Sequence, residues 1–114
     1  MSEAGTAGGA AADEAEHALG KLQADGNGCF RLSGAATMNS VAALRSAGLQ
    51  AFAASSGDIT LDLAALTRVD SAGLALLIDW LAWARTTSRA LRFVSLPESL
   101  RALARLSDVE PFLA

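Results

Sequence analysis

The chain has a single cysteine, Cys29, and a single histidine, His17, in 114 residues. No disulfide can close within it, and no thiolate or imidazole cluster can assemble around a metal ion. A lone thiol also fits a reducing, cytoplasmic setting. Basic charge is scarce: nine Lys and Arg stand against twelve Asp and Glu, for a net charge of −3. That balance leaves no electrostatic footprint for a phosphate backbone or for anionic lipid headgroups, so no nucleic-acid partner is expected. Long apolar runs are missing too. The most hydrophobic stretch, Leu74 to Ala84, is interrupted by Asp79 and falls far below the roughly twenty residues a membrane helix needs. Basic residues are also missing at the start. Met1 to His17 is rich in Ala and Gly and carries Glu3, Asp13, Glu14 and Glu16, where a secretory signal needs positive charge. The expected division is a disordered tail over 1–18 and one folded domain over 19–114.

What is present suffices for a single core, since 52% of the residues are hydrophobic. Leu19 to Gln23 and Cys29 to Ser33 flank Asp25-Gly26-Asn27-Gly28, whose residues tolerate the positive φ that a short reversal between antiparallel strands requires. The pair reads as an opening hairpin. Thr37 or Asn39 is placed to cap a helix running through Val41, Leu44, Leu49 and Phe52, with Ser55-Ser56-Gly57-Asp58 as its stop. Ile59 to Leu63 alternates apolar and polar residues as a strand with one packed face does. A second helix is expected from Asp70 to about Thr86, a further strand over Leu91 to Leu96, and a third helix after Pro97 with Leu100, Leu103 and Leu106 on one side. The order is β-β-α-β-α-β-α: an α/β fold with a small mixed β-sheet of about four strands, packed by three or four α-helices.

The second helix is apolar on two sides. At 100° per residue, Leu74, Leu77, Ile78 and Leu81 form one stripe, and Leu76, Trp80 and Trp83 form another on roughly the opposite side. Either the indoles cover the domain's own sheet or third helix, or another protein buries them, tryptophan being enriched at binding hot spots. In the second case weak self-association of the isolated chain through Trp80 and Trp83 is expected. Ser71, at the head of this helix beside Asp70, is the hydroxyl placed for docking or modification. A hydrolase would need a base to activate it, yet the one histidine lies in the tail and Lys21 belongs to a distant strand. Asp70 reads as a helix cap and Asp62 as a turn residue rather than as paired catalytic carboxylates. No catalysis, cofactor or metal is expected.

Taken together, Leu61-Asp62-Leu63, Thr67-Arg68-Val69-Asp70-Ser71-Ala72-Gly73-Leu74-Ala75-Leu76-Leu77, Leu32-Ser33-Gly34, Pro97-Glu98-Ser99-Leu100 and Leu103-Ala104-Arg105-Leu106 resemble the STAS domain, the family of bacterial anti-anti-sigma factors, over about residues 19–113. Within it, the wording around Ser71 is most similar to the MlaB-like members, STAS subunits that bind the ATPase of the Mla phospholipid-transport ABC system. The resemblance implies a STAS fold and a non-enzymatic accessory subunit, cytoplasmic and held at the inner membrane through an ABC transporter ATPase subunit. Ser71 is then a contact, in an interface with Asp70, Ala72, Ala75, Leu76, Asp79, Trp80, Trp83, Arg101 and Arg105. The alternative it implies is an anti-anti-sigma factor whose Ser71 is phosphorylated by an anti-sigma serine kinase. There a phosphate of roughly −1.5 to −2 charge beside Asp70 would disfavour an apolar or acidic partner surface. A free-standing ligand-binding module is a third reading, with no Gly-rich or basic pocket sequence behind it.

Overall fold

The computed structural model of the protein describes residues 20–113, so the tail expected over 1–18 lies outside the described residues. Strands β1 (Lys21–Gly26) and β2 (Cys29–Ala36) form the antiparallel hairpin, with Leu22 opposite Leu32 and Ala24 opposite Phe30. Gly26, Asn27 and Gly28 take φ of 91°, 56° and 77°, the left-handed conformation their types accommodate at least cost. Helix α1 (Val41–Ala54) follows, then β3 (Ile59–Asp62), β4 (Leu66–Val69), helix α2 (Ser71–Thr86), β5 (Leu91–Val94), helix α3 (Glu98–Leu106) and a short α4 (Glu110–Leu113).

The sheet runs β1-β2-β3-β5, with β4 paired to the far end of β2. Residues 29–31 of β2 pair with β3 and residues 34–36 with β4, both in parallel, and β3 pairs in parallel with β5. The second pairing begins at Gly34, where the register shifts; its φ is 80° and its N–H donates to the Ala65 carbonyl over 3.1 Å. Parallel strands point their C-terminal ends the same way. The chain therefore leaves β2, β4 and β5 at one edge of the sheet to enter α1, α2 and α3.

Along β2 and β5 the buried residues Phe30, Leu32, Leu91 and Phe93 alternate with exposed Cys29, Arg31 and Arg92, so one face of the sheet carries the core. Ile59 and Leu61 complete that face from β3, and Phe52, Trp80, Leu77 and Leu100 close it from the helices.

The mixed α/β architecture is that of the STAS fold, with two local departures from the sequence reading. Residues 66–69 form a fifth strand. Only Leu66 is buried in it, and Thr67 and Arg68 are exposed, so no two-residue period marks it, and its pairing with β2 is a tertiary effect. The cap of α1 is Ser40 rather than Thr37 or Asn39. Its hydroxyl is spent on the preceding turn: it accepts from the Thr37 N–H over 3.0 Å and donates to the Ala35 carbonyl over 2.7 Å. That network explains why Ser40 is buried, at 3% exposure.

Candidate docking face

The head of α2 is fixed by its own cap. Asp70 has extended backbone geometry, and its Oδ1 accepts from the Gly73 N–H over 3.0 Å, satisfying one of the first-turn donors that no helical carbonyl can reach. Its Oδ2 accepts from the Met38 N–H, also over 3.0 Å. One carboxylate thus ties the start of α2 to the turn before α1. Burial pushes the Asp70 pKa up, but hydrogen bonds from the backbone N–H groups of Met38, Gly73 and Ala72 outweigh it, and the net displacement is downward. Asp70 itself donates its N–H to the Ala36 carbonyl over 3.3 Å.

Gly73 completes the anchorage. A Cβ at this position would overlap the Ala36 carbonyl and lie 2.9 Å from Val69 Cγ2. The first turn of α2 therefore rests directly on the ends of β2 and β4, which only glycine allows. Asp62, the other carboxylate in the motif region, accepts from the Ala64 N–H over 2.9 Å in the β3–β4 turn.

With the first turn fixed, the rotation of the helix decides what meets solvent. Leu74, Leu76, Leu77, Trp80 and Ala84 are buried, while Ser71, Ala75, Asp79, Ala82 and Arg85 are exposed and Ala72 is half-buried. The two apolar stripes read from the sequence are thus both packed, one on each flank. The outward face is the line of small and polar side chains between them. Toward α1, the Phe52 ring meets Trp80 edge-on with centroids 5.3 Å apart. On the other flank Ile78, Leu81, Ala82, Arg85 and Val109 line an apolar groove of about 160 Å³.

This geometry corrects part of the expected interface. Leu76 and Trp80 are 0% and 1% exposed and belong to the core, so neither is a surface contact. The bulk of the indole is accommodated by Gly48 on α1: a Cβ there would overlap Trp80 Cζ2 and lie 2.6 Å from Cε2. Of the two indoles expected to mediate self-association, Trp80 is therefore covered within the chain itself. Trp83 is half-buried, its ring 5.9 Å from that of Phe52 and 5.5 Å from the Arg89 guanidinium carbon.

Ser71, Asp70, Ala72, Ala75 and Asp79 do come together on the outer face. Arg101 and Arg105 lie on a different helix, α3. Arg105 is engaged there by Glu98 over 2.9 Å and Glu110 over 3.5 Å, which raises its pKa chiefly through the Glu98 hydrogen bond.

Two residues on the face were not singled out in the sequence. Met38 is 76% exposed and is held beside the head of α2 by the Asp70 carboxylate. Arg45 forms an ion pair with Asp79. Neither carries a local signal, because their partners are more than thirty residues away in sequence. Together they join a surface of one exposed thioether, small side chains, the Ser71 hydroxyl, the Asp70 carboxylate held by backbone N–H groups and the Asp79 carboxylate paired with Arg45. Small side chains and paired charges suit close approach by another protein.

No helix among the described residues is long and apolar enough to cross a membrane. A family model described as "Mlab, STAS domain" matches residues 21–114. No curated protein matches the chain.

Proposed function

The chain belongs to the STAS family, and from that premise we propose that it is a non-catalytic docking subunit whose α2 face binds the ATPase of an Mla-type ABC transporter and supports phospholipid transport. The single observation that carries this reading is the outward face of α2, where exposed Met38, Ser71, Ala75 and Asp79 form a surface with little charge of its own. Asp79 there is paired with Arg45, and the Asp70 carboxylate at the head of the helix is held by the Met38 and Gly73 N–H groups, so a partner covering these residues strands neither acid. Exposed methionine is a favoured contact because its unbranched thioether adapts to the surface it meets. The likeness to MlaB-type members supports an ABC ATPase as that partner, with the subunit at the cytoplasmic side of the inner membrane.

The serine-kinase reading retains one specific support: Ser71 is the first residue of α2 and is exposed, so a kinase can reach its hydroxyl. Pull-down of the full chain from native membranes separates the two. Recovery of an ABC ATPase with its permease is the expected result. Recovery of a small kinase-fold protein, with stoichiometric Ser71 phosphate in the intact mass, would replace it.

A further inference from the structure

Away from the α2 face, a cavity of about 420 Å³ opens at the C-terminal end of edge strand β5, between that strand and helices α3 and α4. Its size falls within the range of small-molecule sites. Phe93, Leu96, Ala104 and Leu113 give it an apolar lining. Phe93, Ala104 and Leu113 are 9%, 0% and 2% exposed, so these walls are continuous with the core. Three polar residues, Ser95, Arg101 and Glu110, also line it.

The charges are not equivalent. Glu110 accepts from Arg105 over 3.5 Å, and Arg105 also holds Glu98. Arg101, by contrast, has no carboxylate within ion-pairing distance among the described residues. The cavity therefore joins an apolar lining to a guanidinium with no carboxylate partner among the described residues, while its acid, Glu110, is engaged from the rim by Arg105.

Ser95 provides an independent pointer. Among the described residues, four other than glycine have positive φ: Asn27, Ser88, Ser95 and Asp108. Asn27 sits in the hairpin turn, and Ser88 and Asp108 follow the ends of α2 and α3, where left-handed residues are routine. Ser95 ends a strand instead, at φ 59°, and serine there costs free energy that an ordinary connection would avoid.

We propose that this cavity is a binding site for a small amphipathic carboxylate, whose anionic group pairs with Arg101 and the Ser95 hydroxyl and whose hydrocarbon body lies against Phe93, Leu96, Ala104 and Leu113. A guanidinium matches the geometry of a carboxylate with two parallel N–H donors. The site is separate from the α2 face and stands or falls independently of the partner that face binds.

The probe is octanoate, titrated into the full chain and followed by amide chemical shifts, with octylamine and octanol as counterparts of equal chain length. Saturable shifts confined to residues 93–96, 101–104 and 110–113 are expected with octanoate. The Arg101→Ala variant should weaken that binding at least tenfold, and Arg101→Lys should retain part of it. Arg101 is exposed, so its replacement leaves the core intact, and an unchanged spectrum without ligand verifies this. Absence of saturable shifts at the cavity, equal binding of octylamine or octanol, or unchanged affinity in Arg101→Ala would each overturn the proposal.

Discussion

The Met38 N–H and the Asp70 carboxylate meet over 3.0 Å although 32 residues separate them. The same carboxylate caps α2 through Gly73. A single side chain thereby sets both the start of the helix that presents Ser71 and the position of the exposed methionine beside it. Asp70→Ala should therefore do two things at once. Loss of the cap costs about 1 kcal/mol, and release of the Met38 turn should loosen the docking face. Chemical denaturation gives the first effect. Hydrogen exchange at the Met38 and Gly73 amides gives the second, and both amides are expected to lose protection.

The downward displacement of the Asp70 pKa has a defined sign in pH. The folded state holds this proton less tightly than the unfolded chain, whose carboxyl titrates near 3.9. The stabilisation is therefore complete above about pH 5, and it is lost as pH falls through the folded value. Urea midpoints measured from about pH 6 down to about pH 3 should fall less steeply for Asp70→Asn than for the wild type. Parallel curves would mean that the carboxylate is not held in its charged form.

Gly48 and Trp80 should respond as a packed pair. Replacing a helical glycine by alanine ordinarily stabilises by about 1 kcal/mol. Here the added Cβ would overlap the indole, and overpacking costs about 1–3 kcal/mol, so Gly48→Ala should lower the melting temperature. Trp80→Ala should cost about 3–5 kcal/mol. Trp80→Phe should cost less, because it keeps a ring against Phe52 and removes an indole N–H that is buried with no acceptor among the described residues. A neutral Trp80→Ala would contradict its place in the core.

Much of this arrangement was legible in the sequence, and the misses share a cause. The hairpin could be read because Gly26, Asn27 and Gly28 advertise positive φ locally, and the head of α2 because Asp70 accepts from the Gly73 N–H only three residues on. Strand β4 could not, since its four residues bury only Leu66 and pair by tertiary contact. The face of α2 was the hardest to assign. Periodicity found both apolar stripes, but a helix wedged between neighbours buries both flanks, and only the packing against Phe52 and Val109 reveals that the small side chains lie outward. Met38 and Arg45 join that face through contacts more than thirty residues distant, which no local pattern encodes.

Gly73→Ala tests whether the motif glycine is structural. Because the methyl group would overlap the Ala36 carbonyl, a backbone atom in the strand ladder, the helix must shift for it to fit. A loss of about 1–3 kcal/mol is expected, together with weakened docking that Ser71→Ala does not reproduce to the same extent. If Gly73→Ala matched the wild type in stability, the first turn of α2 would not rest on β2.

The central claim is that the outer face of α2 binds an ABC ATPase, and calorimetric titration of that ATPase with the full-length chain tests it most directly. Ser71→Asp is the decisive variant, since an acid in the first turn of a helix is favourable for folding while a second charge beside Asp70 opposes docking. The account predicts at least a tenfold loss of affinity for Ser71→Asp, about 1.4 kcal/mol, with an undiminished melting temperature, and no loss for Arg92→Glu on the opposite face of the sheet. Equal affinity of Ser71→Asp and the wild type, or no binding of the ATPase by the wild type, would contradict it.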